Sequence, residues 1–242
     1  MQKEWFEEWF DSPIYHKLYQ NHNAQEAEIF IDNLLNYMQL SKGTMCLDLA
    51  CGKGRHALQI SEHGYDVVGM DISVNSIEYA SQFANEHVSF FSHDMRKPFH
   101  VRYFDVVFNF FTSFGYFNRP AEHLKTLENI AQSLVVGGRF VIDFFNPNFV
   151  TSRLVANELK TIDGVLFHLT RWVEAGRVHK RIEFDLGGKP QQYEEQVSLF
   201  TFADFERMFA AVGLQIEDVF GNYDLATFDE AASPRMIIVC RK

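Results

Sequence analysis

Continuous apolar runs and helical patterns follow one another along the chain from residue 44 to residue 145. Apolar runs cover residues 45–50, 104–111 and 139–145, and between such runs apolar residues recur every three or four positions. Continuous runs indicate strands buried on both faces, and the longer spacing indicates amphipathic helices. Strict alternation of the two predicts an α/β fold, with a parallel sheet covered on both faces by helices through right-handed crossovers.

The pattern changes to a period of two between residues 159 and 200. Apolar and polar residues alternate one by one in three runs, which are separated by Gly176 and by Gly187-Gly188. This alternation predicts an antiparallel meander. Charged groups on a half-exposed sheet more often form a solvated face than a catalytic site, and we interpret three residues of the meander in this way: His168, His179 and Arg181.

The N-terminal segment has the pattern of an aromatic amphipathic helix that breaks at Pro13. One face of this helix is aromatic and the other is acidic. Helices at membrane surfaces favour Lys and Arg, so we expect the segment to dock on the protein itself. The segment either packs on the protein without contacting a ligand, or it covers a ligand pocket with three residues that follow the break: Tyr15, His16 and Tyr19.

Two helix starts are predicted from capping patterns. Asn23 with Glu26 indicates a helix from about Ala24 to Tyr37, and Ser73 indicates a helix that follows the second strand. The first of these helices should pack on the sheet through four apolar residues: Ile29, Phe30, Leu34 and Leu35.

A glycine turn joins the first predicted strand to the next helix. The sequence Gly52-x-Gly54-x-x-Ala57 fits a dinucleotide fingerprint, and Asp71, at the end of the next strand, lies where an acid that grips a ribose is expected. Such a turn lets backbone approach a nucleotide-like ligand closely, beside a helix N-terminus.

Asp48 narrows the choice of ligand. Its carboxylate lies near the end of the first strand, where it would repel the pyrophosphate of a dinucleotide and attract a cation. S-adenosylmethionine carries a sulfonium and an ammonium on a nucleoside, so it suits Asp48 at one end and Asp71 at the other.

The segment Leu47–Gly54 resembles motif I of the class I S-adenosylmethionine-dependent methyltransferases, and Gly69–Ser73 resembles the acidic motif that follows it. The resemblance is strong from about residue 42 to residue 156 and holds in outline from residue 201 to residue 242. It implies a Rossmann-like, seven-stranded, mostly parallel sheet whose last strand is antiparallel, with a β insertion after the fifth strand. It also implies that Asp94 meets the adenine and that the chain after Asn109 passes beneath the transferable methyl group.

S-adenosyl-L-methionine is therefore the expected cofactor. The residues expected to contact it lie in the N-terminal segment or near the ends of the first four strands: Asp48, Ala50, Cys51, Gly52, Gly54, Arg55, Asp71, Ile72, Asp94, Met95, Asn109, Phe110, Tyr15 and Tyr19. The sequence does not select a general base. His16 and Tyr116 are the candidates, because a histidine side chain ordinarily titrates near neutrality and both residues belong to the expected pocket.

Three regions are expected from these patterns. Residues 1–40 form an N-terminal helical lid, residues 41–158 and 201–242 form the Rossmann-like domain, and residues 159–200 form the antiparallel insertion. The insertion either covers the acceptor pocket or builds the face of a homodimer.

The bulk composition limits the partners. A formal net charge of −10 over 242 residues disfavours nucleic acid and anionic membrane, so a small organic methyl acceptor is expected. The three cysteines lack a zinc or disulfide pattern, no cluster of His, Asp and Glu has metal-ligand spacing, and no apolar run is long enough to span a bilayer. We expect a cytoplasmic enzyme that uses no metal.

Two other functions stay open at this point. A nicotinamide-dependent oxidoreductase is supported by the glycine fingerprint and Asp71, whereas Asp48 and the lack of a Tyr-x-x-x-Lys pair count against it. A non-catalytic S-adenosylmethionine binder, acting as a sensor or partner subunit, would keep the same binding motifs.

Overall fold

The computed structural model describes residues 4–19 and 24–242, with the side chains of residues 24–27 left out of the description. The capping pattern predicted for Asn23 with Glu26 therefore lies outside the described residues and side chains. In chain order the elements are α1 (Trp5–Phe10), α2 (Pro13–Tyr19), α3 (Ala24–Met38), β1 (Met45–Leu49), α4 (Arg55–Glu62), β2 (Asp66–Asp71), α5 (Val74–Ala80), β3 (Val88–Ser92), β4 (Phe104–Asn109), α6 (Pro120–Ser133), β5 (Leu134–Phe145), α7 (Pro147–Ser152), β6 (Asn157–Ile162), β7 (Val165–Glu174), β8 (Arg177–Leu186), β9 (Lys189–Ser198), α8 (Phe202–Ala211), β10 (Gln215–Phe220) and β11 (Arg235–Arg241).

Seven strands form the central sheet in the order β10-β11-β5-β4-β1-β2-β3. The pairs among β1 to β5 are parallel, and β11 runs antiparallel to both β5 and β10. The predicted α/β fold, with its seven strands and antiparallel last strand, is confirmed. Because the chain order reverses beside β1, the ends of β1 and β4 diverge at one edge, which is where ligands bind in open α/β sheets.

The sheet has a hydrophobic core on each face, as the continuous apolar runs predict. Cys46 and Phe108 face one core, while Leu47 and Val107 face the other, and all four are fully buried. Helix α3 packs on the first core through Phe30 and other apolar residues, but Ile29 was wrongly assigned to this face. Ile29 is 47% exposed, and the neighbouring Ile31 is buried in its place.

The fifth strand begins earlier than the apolar run suggested. Strand β5 starts at Leu134, so Gly137-Gly138, which precede the apolar run of residues 139–145, lie within the strand. The pairing of β4 with β5 shifts register between Phe104 and Val106, so the glycines accommodate an irregularity in the strand and do not form a connecting turn.

The period-two region forms a separate antiparallel sheet in the order β6-β7-β8-β9. The meander is confirmed, with one more strand than the three runs predicted. Strand β6 was missed because its sequence, NELKTI, is mostly polar and only Ile162 is buried. As expected, His168 and Arg181 lie on the outer face, and His179 stacks there on Trp172.

A third core joins the N-terminal helices to the inner face of this second sheet. Trp9 and Leu18 pack against Phe167, Ile182 and Phe184, and all are buried. The expectation that the aromatic helix docks on the protein itself is borne out by these contacts. Among the described residues, no helix combines the length and apolar character needed to cross a membrane.

Candidate functional site

A cavity in two connected chambers lies at the carboxyl ends of β1, β2 and β4. The first chamber, of about 110 Å³, is lined by residues that include Phe6, Phe10, Asp71, Ile72, Asp94 and Met95. The second, of about 660 Å³, is lined by residues that include Tyr19, Asp48, Cys51, Arg55, Phe110 and Glu195. Residues shared by both include Tyr15, His16, Ala50, Gly52 and Tyr116. The structure thus brings most of the predicted residues together.

Asp71 ties the glycine turn to the helix that follows β2. Its carboxylate accepts hydrogen bonds from the backbone N–H of Gly52 and of Ser73, both at 2.8 Å. Burial raises the pKa of Asp71, and these N–H groups oppose that rise. A carboxylate held in this way at the chamber wall is preorganised to accept hydroxyl donors.

Asp48 is buried without a full set of partners. It is 1% exposed, and its Oδ2 atom has no hydrogen-bond partner in the described part of the chain. Burial, followed by the charge of Asp71, raises the pKa of Asp48 to about 7, and the backbone N–H of Ala57 acts in the opposite direction. A buried acid of this kind is stabilised in its charged form by a nearby cation or by further hydrogen-bond donors.

The glycine turn leaves open space beside the chambers. Ala50, Gly52 and Gly54 all have positive φ angles, of 66°, 54° and 80°. A Cβ atom added to Gly52 would meet nothing within 4 Å, so it would project into the space that the turn leaves free. A Cβ atom added to Gly54 would lie 2.5 Å from the ring of Phe90, so Gly54 permits close packing of the turn on β3.

Gly54 and Asn109 are the two predicted cofactor residues that line neither chamber. Asn109 is 1% exposed, and its amide donates a hydrogen bond of 2.9 Å to the carbonyl of Leu49. It therefore braces the end of β1 from the end of β4, which is a structural purpose that the sequence did not reveal.

Arg96 links Asp94 to the N-terminal helix. Its guanidinium lies 2.8 Å from Asp94, 2.6 Å from Glu4 and 2.9 Å from Glu122. Burial would raise the pKa of Asp94, but the hydrogen bonds from Arg96 outweigh it and lower the pKa. The carboxylate of Asp94 is thus held ionised at the edge of the first chamber.

The helices α1 and α2 form the roof of both chambers. Asp11, between them, accepts hydrogen bonds from the hydroxyl of Ser73 at 2.8 Å and the backbone N–H of Asn75 at 3.0 Å. His16 lies 3.2 Å from the hydroxyl of Ser76. The roof is therefore attached to the start of α5, directly after Asp71.

The two candidates for a general base differ in chemistry. Burial and then Lys53 lower the pKa of His16 to about 4, against a rise from Asp11, so the imidazole is neutral near pH 7. Tyr116 donates its hydroxyl proton to the carbonyl of Thr112 at 2.5 Å, and burial raises its pKa well above the usual range. Tyr116 is thus suited to form a wall of the pocket, whereas the role of His16 stays a prediction.

Known proteins are similar to this chain in sequence and in fold. Residues 46–138 match the family described as "Methyltransferase domain". A dTDP-3-amino-3,6-dideoxy-alpha-D-glucopyranose N,N-dimethyltransferase from Streptomyces fradiae is 29% identical over 185 residues, covering 73% of this chain and 72% of that protein. Residues 46–138 thus correspond to a methyltransferase domain, in agreement with the resemblance of the sequence to the class I S-adenosylmethionine-dependent methyltransferases.

Two further comparisons agree with this methyltransferase assignment. A dTDP-3-amino-3,4,6-trideoxy-alpha-D-glucopyranose N,N-dimethyltransferase from Streptomyces venezuelae is 27% identical, covering 73% of this chain and 77% of that protein. The fold matches the crystal structure of an S-adenosylmethionine-dependent methyltransferase from Clostridium acetobutylicum, with a TM-score of 0.78, 20% identity, and coverage of 94% of this chain and 96% of that one. These comparisons support S-adenosylmethionine as the cofactor, and the oxidoreductase alternative is not favoured.

Two acidic centres at the site do not belong to the residues that were predicted to contact the cofactor. Asp143, which is fully buried in β5, accepts hydrogen bonds from Arg235 at 2.7 Å, from the backbone N–H of Phe111 at 2.8 Å and from Tyr223 at 3.2 Å. The second is Glu195 in β9, on the wall of the second chamber. Asp143 interrupts the apolar run of residues 139–145, and this signal can be read from the sequence. Glu195 was missed by sequence reasoning, because nothing local distinguishes it from its neighbour in the pair Glu194-Glu195.

Proposed function

We propose that the protein transfers a methyl group from S-adenosylmethionine to an oxygen or nitrogen atom of a small organic acceptor, an activity of the EC 2.1.1 type. The observation that carries this proposal is the second chamber. It adjoins the turn from Ala50 to Gly52, and it is bounded on the opposite side by Tyr15 and Tyr19 of the roof and by Val197 of β9. A cavity bounded in this way suits a small molecule better than a folded macromolecule.

The residues around the first chamber, together with Asp48 and the glycine turn beside it, suit the cofactor. We expect Asp71 to accept hydrogen bonds from the ribose hydroxyls, the turn from Ala50 to Gly54 to contact the methionine portion, and Asp94 to contact the adenine. The unpartnered Oδ2 of Asp48 and the open space beside Gly52 support this fit. When bound, S-adenosylmethionine supplies an already activated methyl group on a sulfonium, so we expect no metal; among the described residues, no group of His, Cys, Asp and Glu has the arrangement of a metal site.

The contribution of the protein is to align the two reactants and to exclude water. Phe110, Phe111 and Tyr116 supply apolar surface at the end of β4, and Phe10 and Tyr15 supply it from the roof. An aromatic wall holds an acceptor by contact and leaves few water molecules to compete for the methyl group.

The relatives from the two Streptomyces species support a small acceptor with a nitrogen nucleophile, because both act on amino sugars carried by dTDP. The formal net charge of −10 disfavours nucleic acid and anionic membrane as partners. We propose that the protein acts in the cytoplasm. A homodimer formed through the insertion is compatible with the same activity.

The test is an acceptor screen with methyl-labelled S-adenosylmethionine and a metabolite extract. We expect label in small molecules and stoichiometric formation of S-adenosylhomocysteine, without loss of rate in the presence of a chelator. Label that appears only in nucleic acid or protein would overturn the acceptor class. Tight binding of S-adenosylmethionine in calorimetry without any turnover would instead favour the non-catalytic binder.

A further inference from the structure

Glu195 presents a carboxylate to the second chamber from the inner face of β9. Its side chain is 15% exposed and that of its neighbour Lys180, in β8, is 16% exposed, with 3.7 Å between the ammonium nitrogen and the carboxylate. The mechanism described so far uses neither residue.

Both roof helices donate hydrogen bonds to this carboxylate. The indole N–H of Trp9 donates to Oε1 at 2.6 Å, and the hydroxyl of Tyr19 lies 2.6 Å and 2.7 Å from the two oxygens. Lys180 donates to the hydroxyl oxygen of Tyr19 at 2.6 Å. A carboxylate offers about four lone-pair sites, so two donors and one distant ammonium leave acceptor capacity on the side that lines the chamber.

The charge of Glu195 acts on the aromatic rings of the chamber. Burial and then the charge of Glu195 raise the pKa of Tyr15, and Glu195 also contributes to the raised pKa of Tyr116. The titratable and charged groups that face Glu195 are Lys180 from β8, Tyr15 and Tyr19 from α2, and Tyr116 from the segment after β4. Glu195 thus lines the same chamber as Ala50 and Gly52, where the cofactor is expected.

We propose that Glu195 binds the methyl acceptor and that this acceptor is an amine. This inference rests on the proposed methyl transfer. A primary amine can donate one N–H to the carboxylate, keep a second N–H and still point its lone pair at the methyl group. An alcohol has a single O–H, so its only donor is used by the contact with the carboxylate. The faces of Tyr15, Tyr19 and Tyr116 further suit an alkylammonium, because aromatic rings attract cations.

The transfer step balances with Glu195 as the proton acceptor. The nitrogen–carbon bond forms as the sulfur–carbon bond breaks, and the electron pair of the broken bond stays on sulfur. The acceptor binds as an alkylammonium and first passes one proton to the carboxylate of Glu195 and from there to solvent, which frees the lone pair for attack. The methylated amine then leaves as the ammonium. Lys180 and Tyr19 hold the carboxylate in place during this exchange.

The decisive comparison is between two variants at adjacent positions, Glu195→Gln and Glu194→Gln. Glu194 points to the outer face of the sheet, where it lies 3.2 Å from His179 and 3.9 Å from Arg181, so it is a matched control. The wild type is first screened for methylation with an extract and with a panel of primary amines, each paired with its alcohol analogue.

We expect amines to be methylated and their alcohol analogues to be inert. Glu195→Gln should lower kcat/KM for the amine about 100-fold, and Glu194→Gln should change it less than about twofold, with the affinity for S-adenosylmethionine unchanged in both. The deficit of Glu195→Gln should shrink as the pH rises, because the amine then loses its extra proton to solvent before it binds. A purely structural defect would not recover in this way.

Three outcomes overturn the inference: an unchanged kcat/KM in folded Glu195→Gln, a deficit that is independent of pH, and methylation of alcohols in preference to amines. If Glu195→Gln does not fold, Glu195→Asp decides the matter, because it keeps the charge and withdraws it by one methylene. It should lose at least about tenfold in kcat/KM and keep the wild-type pH profile, and full activity of this variant would contradict the inference. Failure of the wild type to methylate any small molecule would contradict the proposed function itself.

Discussion

Asp48 and Asp143 are buried acids on neighbouring parts of the central sheet, and their surroundings are opposite. Asp48 is 1% exposed near the end of β1, and Asp143 is fully buried near the end of β5. Asp143 has a guanidinium, a hydroxyl and a backbone N–H as partners, all from within the chain. Asp48 has one carboxylate oxygen without a partner and a raised pKa.

This contrast separates an acid that braces the structure from one prepared for a ligand. A buried carboxylate is costly unless a donor or a cation compensates its charge. The chain supplies the compensation for Asp143 through Arg235, so Asp143 fixes the backbone of Phe111 at the chamber wall. For Asp48 we infer that the compensation arrives with the cofactor, whose sulfonium and ammonium are the cations at hand.

The largest effect is expected from removing the charge of the paired acid. Asp143→Asn leaves Arg235 buried without its counter-ion, and breaking a buried pair from one side costs about 3 to 5 kcal/mol of unfolding free energy. Urea denaturation measures this loss. Glu217→Gln is the control, since it breaks the more exposed pair with Arg241 and should cost less than about 1 kcal/mol. Equal losses in the two variants would remove the distinction between brace and surface pair.

Asp48→Asn should increase the free energy of unfolding of the cofactor-free protein, whereas Asp143→Asn should decrease it. The folded pKa of Asp48, about 7, lies above the unfolded value, so the native state binds the extra proton and loses stability as the pH rises from about 4 through 7. Asparagine removes this loss and should stabilise the free protein at pH 8 by roughly 2 to 4 kcal/mol, with little change at pH 4.

Thermal unfolding at the two pH values measures this effect, and calorimetry should show weaker binding of S-adenosylmethionine to the same variant. A destabilised Asp48→Asn protein at pH 8 would show that the orphan oxygen of Asp48 has an internal partner after all.

Asp71 is intermediate, because backbone N–H groups partner its carboxylate and the chamber exposes it to a ligand. Asp71→Ala should weaken the binding of S-adenosylmethionine roughly ten- to a hundredfold, corresponding to about 1.5 to 3 kcal/mol for a charged contact to the ribose. Asp66→Ala, at the other end of β2, should leave the affinity unchanged. A folded Asp71→Ala protein with normal affinity would refute the ribose assignment.

The smallest effect is expected from Asp11, an acid that serves the roof. Asp11→Ala removes the hydrogen bonds to Ser73 and Asn75, each worth about 1 kcal/mol. It should therefore speed the dissociation of S-adenosylmethionine several-fold in stopped-flow experiments. Glu8→Ala, on an exposed position of α1, should dissociate at the wild-type rate. Identical rates for both variants would mean that the roof does not retain the cofactor.

The sequence predicted those parts of the site that depend on local patterns. The turn from Cys51 to Gly54 is a local pattern of a few residues, and so is each acid that ends a strand, such as Asp71. The sheet edge gathers them automatically, because parallel strands place their carboxyl ends together. This is why the expected residues largely surround one cavity.

The parts that were not predicted depend on partners far apart in the chain. Arg96 meets Glu4 across 92 positions, and Asn109 meets Leu49 across 60. A periodic pattern predicts which face of a helix or strand a residue occupies, but it does not predict which distant residue packs against that face. Strand β6 escaped for a different reason, because an edge strand with one buried side chain has almost no hydrophobic signal.

The bond between Trp9 and Glu195 spans 186 positions, and this separation has a consequence for the order of folding. Loop closure over such a length is entropically unfavourable, so contacts of this kind form after the local ones. During synthesis the first two helices leave the ribosome long before β9 exists. We therefore expect the Rossmann-like core to fold first and the second chamber to form last. Pulse-labelling hydrogen exchange during refolding should show protection in α1 later than in β1 and β4, and simultaneous protection would contradict this order.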